Sequence, residues 1–517
     1  MPDLLVRSFA PFLLAFQPCF TRPSFASFWA LTCAWILCSG RRSLTRIIQA
    51  AQLTEFKHYC SFHRFFSQAR WNLDDLGRGV FQLLLPFCGE VLIAAVDDTL
   101  ARKSGRHIWG AGMHHDPLRS TQKRPFFSFG HNFVVLSLQV VLPFAPNKYW
   151  ALPILVRMYR KRQTNQRAPG KGGKLERKQT GQATARQYRT RPELALEMIQ
   201  MVASWIPDRM LRVLGDSEYA GQSISRHLPA NARLISRMNM NAALYEPAGK
   251  IAKRGRRRKK GNRLPSPLQM AQDKKAKWIK STVALYGKQV KLWYQTIDAL
   301  WYPSAGPQLL RIVVVRDPSG RRRDDCFFSL DLTLTATQIL EIFSRRWPLE
   351  VCFRDVKQLL GFEDPQNRVA KATTRTAPLI FFIYDLVLLW HAQSGHSMAA
   401  KSALDRLWYP QKASVSFEDI LRTLRHATWQ ERIFGDPEIG EKEKFDLAFC
   451  TVGIAPGATP ETGFEIARLT KPQIAVPYHT NNPTDQKRFA EILKNQLPRT
   501  ACLIPELNKI YQVTKRK

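Results

Sequence analysis

The segment EVLIAAVDDT (90–99) constrains the fold most, because an unbroken apolar run there ends in two adjacent acids, Asp97 and Asp98. Such a run is typical of a strand that is buried on both faces of a sheet and carries polar side chains at its tip. The following segments predict a strand, a strand, a helix and a strand, in that order: 131–144, 148–160, 193–206 and 209–221. The last strand ends near Asp216, and the pattern as a whole predicts an α/β fold.

The pattern of apolar residues divides the chain into further regions. Residues 1–85 have apolar residues at helical spacing and predict an N-terminal helical region, for which DNA binding and simple packing are both open interpretations. The first part of the core occupies 86–221, and the second part occupies 326–395. Between them, 222–325 predicts a β-rich insertion. Residues 396–517 predict a mostly helical C-terminal region that serves dimerisation or DNA contact.

Two helices are predicted in the second part of the core. The first is a long helix over 335–361, with Thr335 or Thr337 as its N-cap and Gly361 at its end. The second is a strongly apolar helix over 375–393.

The charge of the chain indicates a polyanionic partner. Lys and Arg number 78 against 41 Asp and Glu, which gives a net charge of +37 and a pI near 10.2. Because such an excess repels itself in a compact state, it favours a partner that neutralises it. Nucleic acid is the first candidate, and an anionic membrane surface is the second.

Cysteine spacing and the N-terminal apolar segments bear on the compartment. The nine cysteines form no C-x-x-C pair, which argues against a disulfide framework or a zinc site and fits a reducing cytoplasm.

The segments 11–16 and 26–40 are each shorter than the roughly 18 residues that a membrane span needs, and Arg22 and Pro23 separate them. Buried helices are therefore expected. A membrane-associated basic protein anchored by 8–38 is a competing hypothesis that cell fractionation tests.

Acidic side chains recur at the ends of predicted elements. Asp97 or Asp98 ends the first strand, Asp216 ends a later strand, and Glu350 lies in the helix over 335–361. Phosphodiester chemistry with two divalent ions needs such carboxylates around ions roughly 3.5 to 4 Å apart, one activating the attacking oxygen and one stabilising the leaving oxygen. Carboxylate oxygens are also the ligands that Mg²⁺ prefers. The acids therefore predict a metal-dependent site.

The helix that carries Glu350 also contains a spaced set of residues: Phe343, Arg346, Glu350 and Lys357. This set resembles the Tyr-x2-Arg-x3-Glu-x6-Lys pattern of DDE transposases of bacterial insertion sequences. Three of the four positions agree, and Phe343 replaces the tyrosine. A phenylalanine has no hydroxyl, so any phosphate contact that the tyrosine makes must be lost or supplied by another residue.

Two further segments carry the same resemblance. The Asp-x-Thr tip at Asp97-Asp98-Thr99 and the segment LGDSEY around Asp216 are similar to the surroundings of the family's first two acids. The β-rich insertion over 222–325 resembles the subgroup that cuts and pastes DNA through hairpin ends. The resemblance covers roughly residues 25 to 395.

The resemblance implies an RNase H-like catalytic core and the activity of a DNA transposase. Such an enzyme binds the terminal inverted repeats of its element, cleaves a phosphodiester at each end, and joins the 3′-hydroxyls to target DNA by cut and paste. Asp97, Asp216 and Glu350 would bind two Mg²⁺ or Mn²⁺ ions. Arg346 and Lys357 would hold DNA.

The resemblance also implies partners and a place of action. The expected partner is double-stranded DNA, bound as transposon ends and as target, by a homodimer on paired ends. The expected location is the bacterial cytoplasm at the nucleoid, without a membrane. A DNA-binding protein with a disabled site, such as a domesticated or inactive transposase-derived protein, is the alternative.

Several assignments stay open from the sequence. The Asp-x-Thr pattern selects Asp97, but a register one residue later selects Asp98. The run KRGRRRKKGNR, which includes Arg256, Arg257 and Arg258, is either a DNA-backbone contact or a solvated loop. Asp385 in its apolar helix is either a structural polar contact or a site residue.

The same residues also have purely structural interpretations. Asp216 alone would usually be a cap or turn residue. Arg346, Glu350 and Lys357 alone would be an ion-pair ladder on a helix surface, which contributes little energy. Four aromatic residues are core by default, although one of them would be placed to stack on a flipped base: Trp293, Phe327, Phe328 and Trp347.

Overall fold

The computed structural model describes most of the chain in two units. The described residues are 4–105, 107–121, 123–161, 188–249, 258–399, 412, 414–434, 447–452, 459–478 and 482–504. The first unit comprises Met1–Leu4 and Phe9–Gln393, and the second comprises Leu5–Ser8 and Ser394–Lys517. Most of the basic loop expected at 160–191 lies outside the described residues, as do Arg256 and Arg257.

The first unit is built on one large mixed sheet. Its strands β1–β12 span Leu92–Arg102, Gly112–His115, Phe127–Val141, Tyr149–Tyr159, Leu211–Gly215, Ala232–Arg237, Leu244–Tyr245, Arg263–Leu264, Ile279–Leu285, Lys288–Leu300, Leu309–Arg316 and Asp325–Ser329. The strand order is β2-β3-β1-β5-β6-β12-β11-β10-β7-β8, with β4 paired to β3 and β9 paired to β10.

The direction of the strands changes across this sheet. Strand β3 is antiparallel to β1 and β4, whereas β5 is parallel to both β1 and β6. From β6 onwards the sheet continues antiparallel through β12, β11 and β10. The parallel strand β6 lies inside the segment 222–325 that the sequence assigned to the insertion, so the sheet runs unbroken into that segment.

Helices cover the central strands. Helices α1–α12 of the first unit span Ala10–Leu14, Arg22–Leu37, Leu44–Ala50, Tyr59–Ser67, Leu73–Leu84, Arg191–Trp205, Gln222–Ser225, Pro267–Gln272, Tyr302–Ala305, Ala336–Ser344, Trp347–Leu359 and Ala370–Trp390. Every residue from His131 to Val140 in β3 is buried, which is the pattern of a strand covered on both faces. The prediction of an α/β fold is confirmed.

Helix α12 forms the centre of the helical layer. It packs against β4, α4 and α5. Helix α5 approaches β4 very closely at Gly77, where a Cβ atom would lie 2.0 Å from the carbonyl oxygen of Ile154. Only glycine fits this contact. Among the described residues, Ala370–Gly395 is long and apolar enough to cross a membrane, and 94% of its most apolar window is buried inside the protein.

The expectation of one long helix over 335–361 is wrong. The structure has two helices there, α10 and α11, separated at Arg345 and Arg346. Pro348 explains the break, because proline has no N–H and its ring clashes with the carbonyl four residues earlier. Of the two predicted N-cap candidates, Thr335 is the N-cap of α10, and its side chain accepts a hydrogen bond from the backbone N–H of Gln338.

The second unit contains a small α/β arrangement. Its helices α13–α16 span His396–Ala399, Phe417–Phe434, Pro460–Thr470 and Pro483–Gln496, and its strands β13–β15 span Leu447–Thr451, Ile474–Tyr478 and Ala501–Cys502. The three strands are parallel, and α15 and α16 connect them in turn. Phe464 and Phe489 lie in its core. The sequence predicted helices in this region but not the parallel sheet.

Candidate active site

Two neighbouring parallel strands bring two of the acids together. Leu92 of β1 pairs with Leu211 of β5, and this register runs to the pair of Ala95 with Leu214. Continuing the same register by two residues places Asp97 opposite Asp216. Because neighbouring strands lie about 4.8 Å apart, the two carboxylates lie at the same edge of the sheet.

Helix α11 brings the third acid to this edge. It packs against β1 and β4, and Glu350 lies in its first turn. The Arg346 guanidinium, at the N-cap of α11, bonds to both Asp97 and Glu350. The side chains of Arg346 and Asp97 are each 16% exposed, and that of Glu350 is 35% exposed. These ion pairs are half-buried, so solvent and salt screen them less than they would screen ion pairs on an exposed helix surface.

Burial perturbs the ionisation of Asp97. Burial, which disfavours the charged form, raises the pKa of Asp97 from 3.8 to about 7, and the nearby charges of Asp98 and Asp216 add to this rise. Arg346 acts in the opposite direction. The backbone N–H of Asp98 also donates a 2.8 Å hydrogen bond to Asp97, which favours the ionised form. Asp97 therefore titrates near neutral pH in this environment.

Asp98 has a different set of partners. Its carboxylate accepts hydrogen bonds from Asn132 at 2.6 Å, Arg191 at 3.0 Å and the hydroxyl of Tyr219 at 3.2 Å. Arg191 also forms a 2.7 Å ion pair with Glu218. The two adjacent acids thus differ in what they contact, since Asp97 meets the residues of α11 and Asp98 meets residues of β3, α6 and the turn after β5.

Sequence reasoning did not find Asn132, Arg191 or Tyr219. Tyr219 follows Asp216 by three residues in LGDSEY, so its place near the site was readable in principle. Its ring is fully buried, and burial together with the surrounding acids raises its pKa well above the ordinary value. Arg191 begins α6 and gave no signal, because an arginine at a helix start is common in so basic a chain.

Asp216 has a structural role as well as a place in the site. It precedes a short 3₁₀ helix, Ser217–Ala220, and its side chain accepts a 2.9 Å hydrogen bond from the backbone N–H of Glu218. A capping bond of this kind fixes the orientation of the carboxylate. The bond occupies one oxygen and leaves the other available for a ligand.

Three further residues were expected to bind DNA, namely Lys357, Phe343 and Arg258, and they lie in three different surroundings. Lys357 is half-buried, burial lowers its pKa, and the acids whose charges act on it are Glu363, Asp116 and Asp98. The ring of Phe343 packs on Phe327, with centroids 4.8 Å apart. Arg258 is exposed.

An aromatic cavity of about 540 Å³ adjoins the start of α11. Trp347 and Tyr286 line it, with rings 6.1 Å apart, and both rings are about half exposed. Phe328, by contrast, is fully buried against Trp301. Of the aromatic residues considered from the sequence, Trp347 is therefore open to a ligand and Phe328 is core.

The acids fit a divalent cation by their chemistry. Carboxylate oxygens suit Mg²⁺ and Mn²⁺. Although burial opposes it, the charges of Asp97, Glu350 and Asp216 raise the pKa of Arg346, so all three act on one guanidinium. No three His, Cys, Asp or Glu side chains in the described part of the chain form a group ready to hold a metal. In this arrangement the carboxylates of Asp97 and Glu350 are both engaged by Arg346.

Fold and site together define the class of protein. Carboxylates at the ends of two parallel strands and in the first turn of a helix, at one edge of a mixed α/β sheet, are typical of enzymes that act on phosphodiesters with divalent ions. The family model described as DDE superfamily endonuclease matches residues 15–298, more than half of the chain. The chain belongs to this family, in agreement with the resemblance to DDE transposases, and it is a nuclease-type enzyme.

The matched segment defines which site residues the family assignment covers. It includes Asp97, Asp98 and Asp216 and ends before Glu350. The comparison with curated proteins gave no match. Members of the superfamily typically use divalent metal ions and act on DNA.

Proposed function

We propose that this chain is a DNA transposase that acts by cut and paste. It binds the terminal inverted repeats of an insertion sequence, cleaves the phosphodiester at each end, and transfers the 3′-hydroxyls to target DNA. The observation that carries the proposal is that Arg346 binds both Asp97 and Glu350 at the edge of the sheet where Asp216 ends the neighbouring strand. The strand order β4-β3-β1-β5-β6, antiparallel and then parallel, supports an RNase H-like core.

The three acids are the proposed metal ligands. Asp97, Asp216 and Glu350 would hold two Mg²⁺ or Mn²⁺ ions, which would supply activation of the attacking oxygen and stabilisation of the leaving oxygen. Asp98 positions this set, because it ties β1 to Tyr219 and to Arg191 of α6. This assignment makes Asp97 rather than Asp98 the first acid.

Arg346 is proposed to change partners during the reaction. Its planar guanidinium can bind a phosphate through two hydrogen bonds as well as it binds carboxylates. When DNA enters, a phosphate beside the scissile bond takes the guanidinium, and Asp97 and Glu350 become available as ligands. Lys357, whose pKa burial lowers, supplies a second positive charge for the DNA.

A single substitution tests the catalytic assignment. Glu350→Gln keeps the shape of the side chain but removes its charge, so it should retain binding to transposon-end DNA and lose strand cleavage by at least 10²-fold, in line with the loss of a group that acts on the transition state. Glu465→Gln is the matched control, since Glu465 lies in α15 of the second unit and pairs only with Arg468 among the described residues.

The outcome separates this proposal from the alternative. Retained nicking by Glu350→Gln would show that another carboxylate does the work. Binding of end DNA without any divalent-dependent cleavage by the unmodified chain would identify a DNA-binding protein with a disabled site. The presence of all three acids together with Arg346 and Lys357 argues against that alternative.

The proposal extends to partners and location. A homodimer on paired ends would bring two sites to two DNA ends, and the place of action would be the nucleoid in a bacterial cytoplasm. The net charge of +37 supports a polyanionic partner. Binding should therefore weaken steeply as salt is added. The logarithm of the association constant should fall linearly with the logarithm of the salt concentration, with a slope near −0.9 for each phosphate neutralised. A flat salt response would remove the electrostatic argument.

A further inference from the structure

Strands β2 and β3 form a hairpin with an unusual surface. Three aromatic rings on or beside it each have a cation over the face: Arg160 over Trp109 at 4.6 Å, Arg119 over Phe126 at 5.4 Å, and Lys161 over Phe127 at 6.0 Å. Phe126 and Phe127 are 44% and 48% exposed. We call these six residues the aromatic–cation surface. Phenylalanine in contact with water is unfavourable, so two adjacent exposed rings indicate a binding surface.

The hairpin is held in a defined shape. The carboxylate of Asp116 accepts hydrogen bonds from Ser128 at 2.7 Å and from the backbone N–H of Leu118 at 3.2 Å. The hydroxyl of Ser120 accepts a 2.8 Å bond from the backbone N–H of Phe126. The exposed rings are therefore presented by an ordered turn.

The aromatic–cation surface borders a groove that begins at Arg102, the last residue of β1. A groove of about 510 Å³ is lined by Arg102, Arg119, Phe126 and Phe127 among others. Arg102 lies five residues after Asp97 on β1, which corresponds to about 17 Å along the strand. This is the length of about five base-pair steps, so DNA that followed β1 from Asp97 would reach the groove within one half-turn.

Cations outnumber acids in this part of the first unit, although Glu363, which also lines the groove, pairs with Arg102 at 3.3 Å. Lys123 and Arg124 lie in the same turn as Arg119, while the Asp116 carboxylate is bonded inside the hairpin. Lys103 donates to the carbonyl oxygens of Glu363 and Pro365, both at 2.8 Å, and so fixes the floor of the groove. Cations for phosphates beside half-exposed aromatic rings for bases are the two features of a site for unpaired nucleic acid.

We propose that the aromatic–cation surface binds an unpaired DNA strand adjacent to the cleavage site, with bases stacked on Phe126 and Phe127 and phosphates on Arg119 and Lys161. This inference rests on the proposed function, because it takes DNA as the substrate. It adds a site that discriminates an opened strand from a duplex. Stacking does not read sequence, so the site tolerates any base.

The test uses the full chain without divalent ions and two labelled probes, a 15-nucleotide oligo-dT and a duplex of unrelated sequence. The double variant Phe126→Ala/Phe127→Ala should bind oligo-dT roughly tenfold or more weakly, because each lost base stack weakens binding several-fold or more. Its affinity for the duplex should change less than twofold. The matched variant Phe126→Tyr/Phe127→Tyr keeps both aromatic faces and should bind oligo-dT like the unmodified chain.

A second measurement does not depend on the variants folding. Ultraviolet cross-linking of bromodeoxyuridine-substituted oligo-dT to the unmodified chain should label the peptide that carries Phe126 and Phe127. Unchanged oligo-dT binding by the alanine variant, or labelling only elsewhere, overturns the inference while leaving the proposed function intact. An equal loss for both probes also overturns it, since the surface would then bind duplex. Failure of the unmodified chain to bind either probe overturns both proposals.

Discussion

If Asp97 is a metal ligand as proposed, its raised pKa makes divalent-ion binding depend on pH near neutrality. Burial, helped by the charges of Asp98 and Asp216, raises this pKa from 3.8 to about 7, and Arg346 opposes the rise. A carboxylate must lose its proton before it binds a metal, so protons compete with the ion below pH 7. Lowering the pH from 8 to 6 should therefore weaken Mn²⁺ binding to the DNA-free protein.

The size of this effect follows from the pKa. With a pKa of about 7, the ionised fraction of Asp97 falls from about 0.9 at pH 8 to about 0.1 at pH 6, a tenfold loss of affinity, or about 1.4 kcal/mol. An aspartate at the ordinary value of 3.8 is ionised at both pH values and gives no change. The two cases differ by an amount that a titration resolves easily.

The same shift sets the sign of the stability change. Because the folded-state pKa of Asp97 is raised above 3.8, the folded protein holds a proton between about pH 4 and pH 7 that the unfolded chain has released. The stabilisation is fully present below about pH 4 and is lost as the pH rises through 7. Asp97→Asn should remove this pH-dependent loss.

Mn²⁺ binding can be measured by the electron paramagnetic resonance signal of the free ion at pH 6, 7 and 8. Asp97→Asn should bind weakly at all three values, without the tenfold trend. Asp331→Asn is the control, because although burial opposes it, hydrogen bonds from Thr333 and Arg212 lower the pKa of Asp331, which therefore stays ionised over this range. An affinity that is constant from pH 6 to 8 in the unmodified chain would refute the reasoning.

Three further predictions concern single residues. Arg346→Gln should move the midpoint of the Mn²⁺ titration to higher pH, since the guanidinium favours ionised Asp97. Asp385→Asn should raise the melting temperature more at pH 8 than at pH 5, because burial raises the pKa of Asp385 and its carboxylate has no hydrogen-bond partner among the described residues, so the native aspartate becomes more destabilising as the pH rises. Gly77→Ala should lower the melting temperature by at least the equivalent of about 1 to 3 kcal/mol, because its Cβ would meet the Ile154 carbonyl; an unchanged melting curve would show that α5 shifts freely.

The strands of the core could be predicted because a strand that is buried on both faces consists almost entirely of apolar residues. Apolar runs such as EVLIAAVDDT show no alternation of polar and apolar residues, which is the pattern of a strand buried on both faces. The spacing of 119 residues between Asp97 and Asp216 equals the spacing between Leu92 and Leu211, the first pair of the β1–β5 register. Two acids at the ends of adjacent parallel strands therefore meet, once the strands themselves are identified.

Other features could not be predicted, for identifiable reasons. The partners of Asp98 come from three distant elements, and Arg191 reaches it over 93 residues of chain. Strand β2 has four residues, too few for a two-residue period to be recognised. The break between α10 and α11 was readable in principle, because Pro348 stands in the middle of the predicted helix.

That break also bears on the geometry of the site. In an uninterrupted helix from Thr335 to Gly361, Arg346 and Glu350 would also be neighbours, because residues four apart lie on one face of a helix. The chain instead restarts at Trp347, so Arg346 is the N-cap residue of α11 and Glu350 lies in the first turn. The pair lies at the end of β1, where Arg346 also binds Asp97. Helical periodicity therefore accounts for the Arg346–Glu350 pair, whereas the contact with Asp97 depends on the packing of α11 against β1.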